Sequence, residues 1–186
     1  MNYFGWIIVP ILYISIFLSI EWFLPMTELI PFDLRYSNEL FELTIKNKDY
    51  LKKWLPWLDS IKSEKDTIEF LQRSIMTDYA GTSLNYFITY SGRIIGTIGL
   101  RELSQEKGLV GYWIDRNYQG KNIVTESLLK LIKDIRDNQI TNLIILRCSP
   151  ANMASLCVAN KCGFKYKKTL NLYGRFNDSD IYEYNI

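Results

Sequence analysis

The residues best placed to do chemistry lie between positions 111 and 127. Tyr112, Trp113 and Ile114 favour a strand. Asn117 and Gly120 favour a turn. From Ile123 onward, Leu128, Leu129, Leu131, Ile132 and Ile135 recur as one helix face would require. A turn that opens a helix leaves the first backbone N–H groups unpaired, at the positive end of the helix dipole. Gln119, Gly120, Lys121, Asn122, Ile123, Val124 and Thr125 thus frame an anion site, and phosphate is the usual anion.

Other chemistries are excluded or unsupported. The 186 residues include no histidine, so a Ser-His-Asp triad, a histidine base and a histidine-held metal are ruled out. Cys148, Cys157 and Cys162 are odd in number and form no CxxC pair. Neither a disulfide framework nor a zinc site is expected, and a reducing compartment fits better. The 22 Lys and Arg against 20 Asp and Glu leave a net charge of +2, which points to no nucleic-acid surface. The cluster Lys165, Lys167 and Lys168 reads as a solvated strand face.

The elements that must position the turn follow from periodicity. Residues 3–20 carry no charge and are apolar all round, and Glu21 is the first ionised side chain. A helix of about 18–20 residues just crosses a bilayer core. Tyr3, Trp6, Trp22 and Phe23 stand near its ends, where aromatic belts form. Residues 1–25, with 3–24 as the span, therefore read as a membrane anchor, as an over-extended start before Met26, or as a buried helix. Residues 27–186 read as one domain.

In that domain residues 27–32 form a strand and 37–45 a helix with Leu40, Phe41 and Leu43 inward. Residues 47–57 form a second short helix stopped near Pro56. Ser63 and Asp66 make a capping box for a helix to about Asp78, with Ile68, Leu71, Ile75 and Met76 as its apolar stripe and Gly81 as its stop. Strands 84–90 and 94–101 flank a Ser91-Gly92-Arg93 turn, and Gly96 and Gly99 mark a bulge or a close approach. Strand 109–115, the anion turn and a helix to about 137 follow, then a buried strand 142–148. Pro150 and Asn152 start a helix over 153–161, with Asn152 able to cap it and Gly163 ending it. A hairpin of 164–172 and 180–186 turns around Gly174, Asn177 and Asp178. The class is α/β: a mixed sheet with helices on both faces.

This order, with Asn47-Lys48, Leu51, Trp54-Leu55-Pro56-Trp57, Gly96, Gly111-Tyr112-Trp113, Tyr118-Gln119-Gly120-Lys121, Glu126, Asn152, Ser155 and Gly163-Phe164, resembles the GNAT superfamily of N-acetyltransferases. The sub-pattern is similar to the ribosomal-protein N-terminal acetyltransferases that modify serine or alanine. The resemblance implies a sheet whose central parallel strands, 109–115 and 142–148, splay apart. It implies acetyl-CoA as cosubstrate and no metal. The turn would bind the pyrophosphate, with Gln119 at the first motif position and Asn122 and Val124 where the family keeps Gly and Gly or Ala. Asn tolerates a left-handed backbone; Val124 adds a β-branch that could crowd the phosphate. Backbone groups of Tyr112, Trp113 and Ile114 would meet the pantetheine arm, with an N–H near Ile114 meeting the oxyanion.

The same resemblance places Ser155 where its hydroxyl could bond the coenzyme A sulfur, and Ala159 where many members carry a tyrosine acid. Asn152 would bond pantetheine or cap its own helix. Glu102 is the implied candidate base. The acceptor would be a protein N-terminus. A small amine such as a polyamine or antibiotic is the alternative, and Asn122, Val124 and Ala159 motivate a third reading, an inactive membrane-tethered CoA-binding module. A monomer or homodimer with a cytosolic catalytic domain is expected, tethered to the membrane if residues 1–25 are an anchor.

Overall fold

Alternating apolar residues and left-handed turns build a seven-stranded sheet in this computed structural model, which describes residues 27–171 and 178–186. The strands are β1 (Thr27–Pro31), β2 (Leu84–Tyr90), β3 (Arg93–Arg101), β4 (Gly108–Ile114), β5 (Leu143–Cys148), β6 (Lys165–Asn171) and β7 (Asp178–Asn185). Their order across the sheet is β1-β2-β3-β4-β5-β7-β6. Every pairing is antiparallel except β4 with β5. The helices are α1 (Ser37–Leu51), α2 (Glu64–Tyr79), α3 (Ile123–Asp137) and α4 (Met153–Lys161). The expected mixed α/β sheet is present.

Local chemistry explains the joints. Ser91 and Gly92 both take positive φ, at 51° and 76°, the twist that suits a tight hairpin between β2 and β3. Ile88 faces Gly96 while Thr89 faces Ile94, so Ile95 is the extra residue of a bulge. Gly96 is also a point of close approach. A Cβ there would stand 2.2 Å from the Trp113 carbonyl oxygen and 2.8 Å from Ile114 Cα. Ser63 and Asp66 form the reciprocal capping box that opens α2.

Two cores hold the layers. Leu128, Leu131, Ile132 and Ile135 of α3 bury against Ile98, Leu100, Val110, Ile144 and Leu146 on one face. Leu40, Leu43, Leu58, Leu71, Phe87 and Trp113 form the other, beneath α1 and α2. Leu128 and Leu71 are fully buried, which stabilises each site by about 1.5–3 kcal/mol over exposure.

Four local expectations are corrected. Residues 37–51 form one helix, not two, because the stretch around Lys46 holds no Gly or Pro, and Asn47 bonds back to the Leu43 carbonyl at 2.9 Å. Met76 is 70% exposed, off the stripe that Leu71 anchors, and Leu129 is 45% exposed on the outer side of α3. The strand that was expected to include Asp115 ends at Ile114, because the Asp115 side chain turns back to accept from the Asn117 N–H. Gly174, Asn177 and the hydrophobic segment 1–25 lie outside the described residues. Among the described residues no helix is long and apolar enough to cross a membrane.

Candidate active site

The site begins where two strands part. β4 and β5 pair only at Gly108 with Ile144, Leu109 with Ile145 and Val110 with Leu146. Beyond these, β5 stays with β7 through Cys148 while β4 stays with β3 through Ile114. The Asp115 N–H bonds the Ile95 carbonyl, which places Trp113 and Gly111 in the same bonded phase of the β3–β4 ladder. Tyr112 and Ile114 therefore aim their backbone groups at the gap. Trp113 spends its backbone on β3, opposite Thr97.

The turn after β4 carries the anion geometry. Arg116–Tyr118 is a single 3-10 turn, followed by Gly120 at φ 73° and Asn122 at φ 60°. Asn122 holds the left-handed conformation that a glycine would take freely. Its side chain makes no capping bond to α3. Instead its Oδ1 accepts from Lys161 Nζ of α4 at 2.6 Å. The first bond of α3 runs from the Glu126 N–H to the Asn122 carbonyl. The N–H groups of Ile123, Val124 and Thr125 precede it and have no partner within the helix. Val124 turns its side chain onto the core beneath α3, so its β-branch does not fill the turn. Gln119, Gly120 and Lys121 are exposed around the opening, with the Lys121 ammonium 5.1 Å from the Tyr118 ring centroid.

Helix α1 holds this strand end in place. Lys46 Nζ donates to the Asp115 carboxylate at 2.8 Å, the Arg116 N–H donates to Asn47 Oδ1 at 3.1 Å, and the Tyr50 hydroxyl donates to the Ile114 carbonyl. Burial would push Asp115 up, but the bonds from Lys46 and the Asn117 N–H, the Lys46 charge and Asn47 hold it below the usual carboxylate range. Burial pushes the Tyr50 phenol up, so it remains a donor. The Ile114 carbonyl is therefore occupied. Beyond the last β4–β5 pair, the Ile114 N–H and the N–H and carbonyl of Tyr112 are turned to the gap.

On the far side of the gap stands α4. Asn152 caps it, its Oδ1 accepting from the Ser155 N–H at 3.2 Å. Ser155 is half-buried in the first turn of the helix, close enough to the Tyr112 hydroxyl to oppose the rise that burial causes in its pKa, though the two are not hydrogen-bonded. Ala159 is fully buried in the core. Glu102 is not brought to this place. It follows β3 at φ 51°, is exposed, and pairs with Arg101 at 3.4 Å. Arg101 faces Leu109, at the closed end of β4.

The opposite face of β4 borders a second opening. Leu40, Thr44, Trp57, Ile61, Thr67, Phe70, Thr97 and Trp113 line a small pocket under α1 and α2. Trp57 stacks on Phe70 with centroids 6.0 Å apart, and Trp57 is 40% exposed. Gly111 lies on the same face, and nothing stands within 4 Å of where its Cβ would be. Sequence reasoning did not find the Lys46–Asp115 and Lys161–Asn122 pairs. Their partners are 69 and 39 positions apart, and lysines of surface helices carry no local signal.

The chain is 28% identical to the ribosomal-protein-serine acetyltransferase of Escherichia coli (strain K12) over 159 residues, covering 77% of this chain and 89% of that protein. Its fold superposes with TM-score 0.82 on the Microcin C7 self immunity acetyltransferase MccE, solved in complex with acetyl-CoA and AMP, at 28% identity over 86% of this chain and 92% of that one. It superposes with TM-score 0.83 on RimL, a ribosomal L7/L12 alpha-N-protein acetyltransferase solved with coenzyme A, at 25% identity over 86% and 94%. The acetyltransferase (GNAT) domain family matches residues 27–165, which span the splayed strands, the left-handed turn and α4, and the chain belongs to that family.

Proposed function

We propose that this protein transfers the acetyl group of acetyl-CoA to a primary amine, most plainly the N-terminal amine of a protein. One observation carries the reading: the β4–β5 splay opens onto a left-handed turn whose helix N-terminus is left uncapped. The N–H groups of Ile123, Val124 and Thr125, with Gln119, Gly120 and Lys121 around them, suit the pyrophosphate. The backbone of Tyr112 suits the pantetheine amides. The Ile114 N–H faces the developing negative charge on the thioester oxygen. Ser155 donates toward the sulfur as it leaves. The relatives' names favour a protein N-terminus as acceptor.

The amine enters from the α1–α2 side, past Gly111 and Trp113. With Glu102 turned to solvent at the closed end of the strand, the amine proton passes to water in this groove. Direct attack needs no covalent enzyme intermediate, so the three cysteines have no required part. Acetyl-CoA consumption with peptides beginning in Ser or Ala tests the reading. Turnover with these peptides is the expected result, and a folded protein that turns over no amine overturns it.

A small-molecule acceptor is the second reading. The exposed, stacked Trp57–Phe70 pair offers a flat apolar surface at the pocket mouth, and MccE was solved with AMP as well as acetyl-CoA. A panel of polyamines and nucleotide-linked amines, run beside the peptides, separates the two by kcat/KM.

A further inference from the structure

The Tyr112 side chain has no part in the chemistry so far. Its backbone serves the splay, and its ring packs against the core under α3 and α4. Its hydroxyl oxygen is buried and lacks a hydrogen-bond partner. A buried, unpaired hydroxyl is costly, so a shift on ligand binding that pairs it is favoured. Its surroundings name a candidate. The Ser155 hydroxyl is close enough to influence the phenol, and so are the thiols of Cys148, Cys157 and Cys162. Ala159, one turn beyond Ser155, has no polar atom to offer and is sealed in the core. Tyr112 is thus a buried phenol at the edge of the splay, facing the one hydroxyl assigned to the departing sulfur.

We propose that Tyr112 is a positioning residue for the reaction: once coenzyme A is seated, its O–H donates to Ser155 Oγ, which turns the Ser155 O–H onto the sulfur of the leaving group. The relay rests on the acetyl-transfer reading above. In the step, the amine nitrogen bonds the thioester carbon, the carbon–sulfur bond breaks, and its electron pair leaves on sulfur. One proton passes from nitrogen to water, and water later returns one to sulfur. Both hydroxyl protons stay on their oxygens throughout. Burial pushes the phenol far above its ordinary range while the Ser155 hydroxyl pulls it partly back, so Tyr112 acts as a donor and not as an acid. A proton transfer from such a phenol to a thiolate, whose ordinary range is near 8.5, would run uphill.

The test uses the full chain, coenzyme A and two conservative variants. Calorimetry with coenzyme A comes first, and absence of binding by the unaltered protein sinks the acetyl-transfer reading itself. With binding in hand, the thiol of bound coenzyme A is titrated by the ultraviolet absorbance of its thiolate. Tyr112→Phe keeps the ring and removes the hydroxyl. The thiol of bound coenzyme A should titrate about one pH unit higher in this variant, and kcat should fall about tenfold with KM for acetyl-CoA within about twofold. Ser155→Ala should do the same, and the double variant should be no worse than the poorer single one, as for groups acting as a unit. A thiol titration unchanged in Tyr112→Phe, or losses that multiply in the double variant, overturns the relay while leaving the acetyl-transfer reading intact. Should Tyr112→Phe fold poorly, the titration in Ser155→Ala decides, and an unchanged curve there rejects the relay.

Discussion

Lys46 of α1 and Asp115 at the end of β4 form an ion pair at 2.8 Å, and the Asp115 side chain is only 3% exposed while that of Lys46 is 56% exposed. The pair fastens α1 to the residue that starts the turn after β4. Asn47 and Tyr50 add bonds to the neighbouring residues Arg116 and Ile114. One face of one helix therefore sets where β4 ends and which of its carbonyls stays free.

Removing Lys46 should leave the Asp115 carboxylate buried with only the Asn117 N–H as a firm partner. Lys46→Met should lose about 2 kcal/mol in urea denaturation, and adding Asp115→Asn should restore most of it. The sign of the pH dependence follows from the lowered Asp115 pKa. Its contribution is fully present above the unfolded value near 3.9 and is lost as pH falls through the lower folded value. Acid titration of stability should therefore show a steeper loss below about pH 4 in the unaltered protein than in Lys46→Met.

Asn122 already holds the left-handed turn, so Asn122→Gly should change coenzyme A affinity by no more than about threefold. A β-branched residue cannot sit there without strain. Asn122→Ile should lower stability by about 1–2 kcal/mol and weaken coenzyme A binding about tenfold or more. Calorimetry on both variants separates backbone conformation from side-chain identity.

Gly96 and Gly111 predict opposite outcomes for the same substitution. Gly96→Ala would drive a methyl into the Trp113 carbonyl and should destabilise by about 1–3 kcal/mol, with weakened coenzyme A binding because β4 must move. Gly111→Ala meets open space and should leave the melting temperature nearly unchanged. If the amine enters past Gly111 as proposed, the added methyl should raise KM for the amine while KM for acetyl-CoA stays level.

Glu102→Gln should leave kcat within about twofold across the pH profile, because an exposed carboxylate paired with Arg101 at the closed end of β4 is remote from the gap. A loss of a hundredfold or more, the scale of a removed general base, would return Glu102 to the mechanism.

Much of this was legible in the chain. The Ser63–Asp66 box, the Ser91-Gly92 turn and the Gly163 stop depend on residues a few positions apart, and each formed as read. The α1 region was split in two by reading because Asn47 and the lysines beside it break the apolar pattern. In the fold Asn47 is buried, bonded to the Leu43 carbonyl and to Arg116. Met76 was placed inward by spacing alone, yet α2 offers its last turns to solvent.

By itself the sequence determined the strand-turn-helix, the antiparallel hairpins and the lack of histidine, because short-range sterics, periodicity and composition are local properties. Only the tertiary structure decided which backbone groups remain free at the splay, since that depends on ladder phase between β3 and β4 and on Tyr50 reaching the Ile114 carbonyl. It also decided that Lys161 draws the Asn122 side chain off the helix end, and that the Tyr112 hydroxyl lies buried beside Ser155. Those arrangements join residues from separate elements, and only packing brings them together.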